Sequence, residues 1–264
     1  MSTDILIEKR RDNICELLKE KNILLIGEFS SILNISKATI RRDLDILAKE
    51  KKIIRIYGGA ITQTTKDYEP PYMIRSLKMI EQKKAIGKLA ASLIPESSSI
   101  FVDVGTTLLE LAKNIPTDKN ISVVTNWLPI AEKLGEKMFS NLFLLGGKVN
   151  CREMSIIGNS SLQLLDNFNI EICFIGVGGI DVNQGLTDYT FEEIEMKKKM
   201  INRTKKRIVL ADHKKFNRIA PIKICDLSAI DTIITSEGLE EEMKQKYKNI
   251  GIEIIVSKTN NEKI

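Results

Sequence analysis

Seven short apolar runs recur between residues 100 and 256, and their brevity restricts the fold more than any other feature of the chain. They are Ile100–Val104, Ile121–Val124, Leu142–Leu145, Ile172–Val177, Ile208–Leu210, Ile230–Ile234 and Ile252–Val256. Most are too short for helices, and most are separated by segments with helical spacing, so they read as buried, mainly parallel strands. One such segment carries Lys84, Ile86, Leu89, Ala90 and Leu93 and is closed by Pro95. The expected architecture of residues 76–264 is an open α/β sheet. Ligands of such sheets bind beyond the carboxyl ends of the strands.

Residues 1–60 have a different texture. Ile7, Ile14, Leu17 and Leu18 give a first helix, and Ile26, Phe29 and Leu33 a short second one that ends at Asn34-Ile35. A third begins at once: Ser36 is a good N-cap, and Ile35 and Ile40 are spaced to form a hydrophobic staple. Ile40, Leu44 and Leu47 then share one apolar stripe. Ala38, Arg42, Asp45 and Lys49 lie about half a turn away, with Lys37 and Arg41 to one side. Two helices joined by so short a turn suit a helix-turn-helix unit, whose second helix enters the major groove with its first turns. Ser36, Lys37, Ala38, Thr39, Arg41 and Arg42 are therefore the expected DNA contacts, with Arg42 able to reach guanine O6 and N7. Lys52–Tyr57 alternates imperfectly towards a strand and Gly58-Gly59 turns it back, a basic wing in which Lys51, Lys52 and Arg55 would grip phosphate. Asp43 and Asp45 would be repelled by phosphates, so at least one should bond an arginine.

Charge agrees with this division. The first 60 residues hold 12 Lys or Arg against 9 Asp or Glu, over half of the chain's net excess of +5. That pattern fits a small DNA reader on a near-neutral body. Residues 61–75 turn polar and reach Pro70-Pro71, a stiff spacer, so they read as a linker. Cys15, Cys151, Cys173 and Cys225 are scattered and His213 is the one histidine, a composition without the signature of a metal site, a disulfide framework or a cofactor. No apolar run approaches the ~20 residues that cross a bilayer, and the expectation is a cytoplasmic protein without membrane contact.

Unusual residues gather at the strand ends. Asp103-Val104-Gly105-Thr106-Thr107 stands where a strand gives way to a helix, and glycine, two hydroxyls and free amides at a helix N-terminus suit a phosphate. Further ends supply Thr125-Asn126, Gly146-Gly147, Gly178-Gly179-Ile180-Asp181, Gly185-Leu186-Thr187 and Asp212-His213-Lys214-Lys215-Phe216. Trp127 reads as packing. Glu192, Glu193 and Glu195 ahead of Lys197, Lys198 and Lys199 read as solvated i,i+4 pairs on a helix.

Two sets of motifs carry a resemblance. Ile35-Ser36-Lys37-Ala38-Thr39-Ile40-Arg41-Arg42-Asp43-Leu44-Asp45, followed by Arg55-Ile56-Tyr57-Gly58-Gly59-Ala60, resembles the DeoR family of bacterial transcriptional regulators, and the strand-end clusters resemble its sensor domain, similar in fold to ribose-5-phosphate isomerase. The resemblance implies an operator-binding repressor of sugar metabolism, a homo-oligomer on double-stranded DNA, controlled by a phosphorylated sugar and without catalytic activity. It implies phosphate at Gly105, Thr106 and Thr107 with Lys215 as counter-charge, hydroxyls at Asp103, Asn126 and Asp181, and a pocket completed by Thr125, Gly146, Gly147, Gly178, Gly179, Gly185 and Thr187. Glu193 would also reach the pocket. The chain departs from the family at Lys51, where a glycine usual after the recognition helix is absent at a cost of roughly 1 kcal/mol in a left-handed cap. It departs also at Tyr57, Asn150 and Thr235-Ser236. The alternative is an active isomerase with a DNA-binding head, in which Asp103, Asp181 and Lys215 handle proton transfer.

Overall fold

The structure, a computed structural model, describes residues 2–21, 23–56, 58–62, 69–70 and 72–259. Tyr57, residues 63–68 of the expected linker and Pro71 lie outside the described residues. The chain divides into two compact units, residues 1–68 and 69–264, so the residues from Glu69 to Arg75 belong to the second unit.

The first unit runs α1 (Ser2–Lys21), β1 (Ile23–Leu25), α2 (Ile26–Leu33), α3 (Lys37–Lys49), β2 (Ile53–Ile56) and β3 (Gly59–Thr62). The Glu28 carboxylate accepts from the Leu25 amide at 2.7 Å and opens α2. Asn34, left-handed at φ 53°, ends it. Ser36 Oγ accepts from the Thr39 amide at 3.2 Å and starts α3 two residues later. Ile40, Leu44 and Leu47 are buried against Ile14, Leu18 and Phe29, with Ile35 packed on the same core. Charge ties α1 to α3 as well: Asp43 is buried and accepts from Arg10 Nε at 2.6 Å and Arg11 Nε at 3.1 Å. The strands form an antiparallel sheet in the order β1-β3-β2. β1 is an addition to the elements expected from the sequence.

The second unit begins with α4 (Tyr72–Arg75) and α5 (Ile80–Ser92), then β4 (Ser99–Val102), α6 (Thr106–Asn114), β5 (Ser122–Thr125), α7 (Leu128–Glu136) and β6 (Leu142–Leu144). A hairpin follows, β7 (Lys148–Asn150) with β8 (Ser155–Ile157), then α8 (Asn159–Leu164), β9 (Ile172–Ile175), β10 (Gly179–Asp181), β11 (Gly185–Asp188), α9 (Phe191–Arg203) and β12 (Lys206–Leu210). β13 (Ile222–Cys225), β14 (Thr232–Ser236), α10 (Glu241–Asn249) and β15 (Glu253–Ser257) complete it. The seven expected runs form one seven-stranded sheet, β15-β14-β12-β9-β4-β5-β6, paired in parallel throughout.

Alternation along the central strands explains the layers. Phe101, Cys173 and Val209 face one core with residues of α9 and α10, while Ile100, Val102, Phe174 and Leu210 face the other with residues of α5, α6 and α7. Strands covered on both faces read as continuous apolar runs. β6 departs from that expectation: at the sheet edge, with one strand neighbour, Phe143 is 45% and Leu144 38% exposed. The hairpin β7–β8 and the antiparallel sheet β10-β11-β13 are also additions. They hold several of the glycines that the sequence places at the ends of the main strands. From β4 the chain moves outward through β5 and β6, then returns beside β4 as β9 and moves the other way, so the order reverses between β4 and β9. Open α/β sheets form a ligand crevice at such a reversal.

Candidate nucleic-acid interface and effector cavity

The first unit exposes Ser36, Lys37, Ala38, Arg41 and Arg42 on α3, with Thr39 half-buried and its hydroxyl 2.9 Å from Ser36 Oγ. Among the described residues no carboxylate pairs with Lys37, Arg41 or Arg42. Lys51 and Lys52 are exposed beyond the helix, and Lys52 Nζ lies 3.0 Å from Glu50. Lys51 takes φ +56°, the left-handed cap that usually falls to glycine. Arg55 is held, its Nε donating to Asp45 at 2.9 Å and its guanidinium to the Gly59 carbonyl at 2.7 Å. Both carboxylates of the helix therefore sit on arginines from other elements, and Lys37, Arg41 and Arg42 in its N-terminal half carry no ion pair among the described residues.

In the second unit a cavity of about 510 Å³ opens at the reversal point. Val104, Gly105, Thr106 and Thr107 line it after β4, Gly176 and Val177 after β9, and Ala211, Asp212, Lys214 and Lys215 after β12. Gly105 caps α6 without a side-chain acceptor for the first-turn amides, the helix-end arrangement that receives anions. Its φ of +154°, together with Leu108 Cδ2 at 3.1 Å from where a Cβ would stand, reserves the position for glycine. Seven lysines and arginines line the cavity against four carboxylates, which favours an anion.

Lys197 is the floor of the cavity and the centre of its buried charge. It is 1% exposed and donates to Asp103, to the Gly176 carbonyl at 2.9 Å and towards Asp188 at 3.4 Å. Burial works against its charge, but Asp103 and Asp188 outweigh it and hold the ammonium above its usual range. Asp103, also 1% exposed, accepts from the Gly176 amide at 3.1 Å, so it locks β4 to β9 beneath the cavity. Burial pushes Glu193 up to about 7 despite Lys197 and the Ser155 hydroxyl, which donates to it at 2.8 Å. Burial likewise lowers Lys83 to about 8; its Nζ donates to the Arg75 carbonyl.

Of the expected effector contacts, the structure brings Gly105, Thr106, Thr107 and Lys215 together in the lining, with Glu193 beside them. The others hold the frame. Thr125 Oγ1 donates to the Val102 carbonyl at 2.7 Å and accepts from the Trp127 amide, and Asn126 Nδ2 donates to Ile156 at 3.2 Å. These bonds, with Trp127 Nε1 donating to Glu153 at 2.6 Å, fix the β7–β8 hairpin that Gly146 and Gly147 lead into. Gly178, Gly179, Asp181, Gly185 and Thr187 belong to the β10–β11 hairpin and its approach. Asp181 accepts from the amides of Asn183 and Gln184, both at 2.9 Å, across its turn. The isomerase alternative loses its proton carriers, since Asp103 is sealed by Lys197 and Asp181 lies outside the cavity.

Sequence reading missed Arg75, Lys83, Asp188, Lys197 and Arg218 as lining residues. The solvated i,i+4 pairs expected on α9 are also corrected: Glu193 and Lys197 are buried, Lys198 pairs with Glu195 one step closer, and Lys199 reaches Asp166 at 2.8 Å. A signal for Lys197 existed, because it falls on the buried stripe of Ile194 and Ile201. His213 stands outside the lining with Nδ1 2.9 Å from Ser236 Oγ, and Cys151 is exposed. Among the described residues no cluster of three or more His, Cys, Asp or Glu could hold a metal ion, and no helix is long and apolar enough to cross a membrane.

Comparison with known proteins agrees with both units. Residues 10–66 match the DeoR-like helix-turn-helix domain, and residues 78–237 match the DeoR C terminal sensor domain. The HTH-type transcriptional regulator GolR of Listeria innocua is 30% identical over 249 residues, covering 94% of this chain and 98% of its own length. The glycerol-3-phosphate regulon repressor of Escherichia coli K12 is 30% identical, covering 86% and 90%, and the repressor GlcR of Bacillus subtilis 32%, covering 95% and 96%. Among solved structures, ribose 5-phosphate isomerase A of Methanocaldococcus jannaschii aligns with a TM-score of 0.39 at 13% identity over 52% of this chain and 54% of its own, too distant to bear on activity. These relatives, matched over most of their length, are named as regulators of transcription, and with a DeoR-like helix-turn-helix domain followed by a DeoR sensor domain this chain belongs to the DeoR family of transcriptional regulators.

Proposed function

We propose that the protein is a repressor of a sugar-metabolism operon whose operator affinity is set by a phosphorylated sugar in the cavity of the second unit. The observation that carries this reading is the uncapped first turn of α6 at Gly105 to Thr107, facing a cavity in which cations outnumber carboxylates. The first-turn amides would take the phosphate and Lys215 would balance its charge; the buried carboxylates Asp188 and Glu193 offer acceptors to sugar hydroxyls. The name of one relative, the glycerol-3-phosphate regulon repressor, is in keeping with a phosphorylated polyhydroxy ligand. In the first unit Arg42 reads a base and Arg41, Lys37, Lys51 and Lys52 hold phosphates. One such head gives few base contacts, so a symmetric dimer or higher oligomer on a two-fold operator is part of the proposal.

Fluorescence anisotropy on the DNA upstream of the gene tests the head. Arg42→Ala should lose about 1–3 kcal/mol of discrimination between the operator and scrambled DNA. A variant that binds as tightly and as selectively as wild type overturns the assignment of α3.

A further inference from the structure

Glu69 occupies the cation cluster of the cavity. Its Oε1 accepts from Lys215 Nζ at 2.7 Å, its Oε2 lies 3.6 Å from Arg75, and both partners line the cavity with it. Arg75, Lys215 and Arg218 hold its carboxyl down at about 2, although burial opposes them. The segment it heads is strapped down at several points. Arg75 Nε donates to the Pro70 carbonyl at 2.9 Å and its guanidinium pairs with Glu153 of the β7–β8 hairpin. Lys83 donates to the Arg75 carbonyl, and Tyr72 packs edge-on against Trp127 with centroids 5.5 Å apart.

We infer that Glu69 is a tethered stand-in for the effector's anionic group, which must displace it from Lys215 and Arg75 in order to bind. The inference rests on the proposed anionic effector and adds the residue that sets its affinity. The reasoning is electrostatic and steric together. Lys215 is the cation nearest in role to the expected phosphate, yet it already carries a carboxylate, and one ammonium cannot neutralise a phosphate dianion and Glu69 at once. A ligand that needs the unpaired cluster binds with an affinity reduced by the fraction of time the cluster is unpaired; a tether engaged nine-tenths of the time weakens it about tenfold. Displacement of Glu69 also removes the pin at the start of the Glu69–Arg75 segment. In sequence that segment follows directly on the first unit.

The test is calorimetric titration of the full chain with inorganic phosphate, for wild type, Glu69→Gln and Glu69→Asp. Glu69→Gln should bind phosphate about tenfold more tightly, the factor of the tether, whereas Glu69→Asp keeps the charge and should stay near wild type. Equal or weaker binding by Glu69→Gln overturns the inference alone, because wild-type binding still supports an anionic effector. Binding by neither protein overturns both readings. Trp127, the single tryptophan, gives a second readout through Tyr72. Phosphate should shift its emission in wild type, and Glu69→Gln should show that shifted emission before phosphate is added. Identical emission of the two ligand-free proteins contradicts displacement of the strap.

Discussion

At the scale of the residue, two positions carry a conformational or ionic cost that a substitution can remove. Lys51 holds φ +56° after α3, with its amide donating to Ala48 and that of Lys52 to Leu47. The cap geometry is that of a helix ending on glycine, filled here by an exposed lysine. Lys51→Gly should raise the local stability of α3 by about 1 kcal/mol, measured as slower amide hydrogen exchange of Ile40, Leu44 and Leu47; unchanged or faster exchange contradicts the strain. Glu193 illustrates the ionic case. Its folded value of about 7 lies above the ordinary 4.5, so the folded protein keeps a proton that the unfolded chain releases. The stabilisation is full below 4.5 and is lost as pH rises through about 7. Glu193→Gln cannot ionise and should flatten the fall in stability between those limits in urea titrations. An unaltered pH slope would show that Glu193 ionises in the fold as it does in water.

At the scale of the element, the legible parts are those whose signals are local. The cap at Ser36, the stripe Ile40, Leu44 and Leu47, and the glycine at the start of α6 each act within one turn of chain. The central strands of the sheet were legible too, because cover on both faces forces continuous apolar runs; the edge strand β6 kept its apolar run although Phe143 and Leu144 are exposed. Elements stabilised by distant partners were not legible: β1 pairs with β3 some 35 residues later, from Ile23 to Ile61 and Leu25 to Gly59, and β11 with β13 across α9. Buried charge was hidden for the same reason. Asp43 and Lys197 both sit on the apolar stripe of their helices, and only the fold supplies Arg10 and Arg11 to one and Asp103 and Asp188 to the other. Lys197 thus fixes α9 against the reversal point. Asp103→Ala should cost about 3–5 kcal/mol, since it breaks the shorter of the two buried ion pairs of Lys197 and leaves the ammonium only the more distant Asp188. Urea unfolding followed by Trp127 fluorescence measures this, and a loss under about 1 kcal/mol, the scale of an exposed pair, would show that Lys197 reaches water.

At the scale of the whole molecule, two units of different chemistry share one chain. The first presents unpaired cations on a helix; the second surrounds a cavity with cations, keeps Asp188 on Lys197 at its floor and holds Glu69 in the cation cluster. A ligand can shift operator binding only by the difference in its own affinity for the two DNA-binding states. The charge network from Glu69 through Arg75 to Glu153 ties the start of the sensor unit to its β7–β8 hairpin. Much of the candidate site was legible in the sequence at Gly105, Thr106, Thr107 and Lys215; Arg75 and Lys83 were not, because a polar segment next to prolines reads as a linker until the sheet beneath it is known.

The most direct test of the central claim is operator affinity measured by anisotropy with and without a panel of sugar phosphates, on wild type and Gly105→Val. At least one sugar phosphate should change the wild-type Kd by about 5–150-fold, the range of a 1–3 kcal/mol coupling. Gly105→Val should bind the same DNA with the ligand response abolished. A panel without effect on wild type, or a response that survives in Gly105→Val, contradicts control from this cavity.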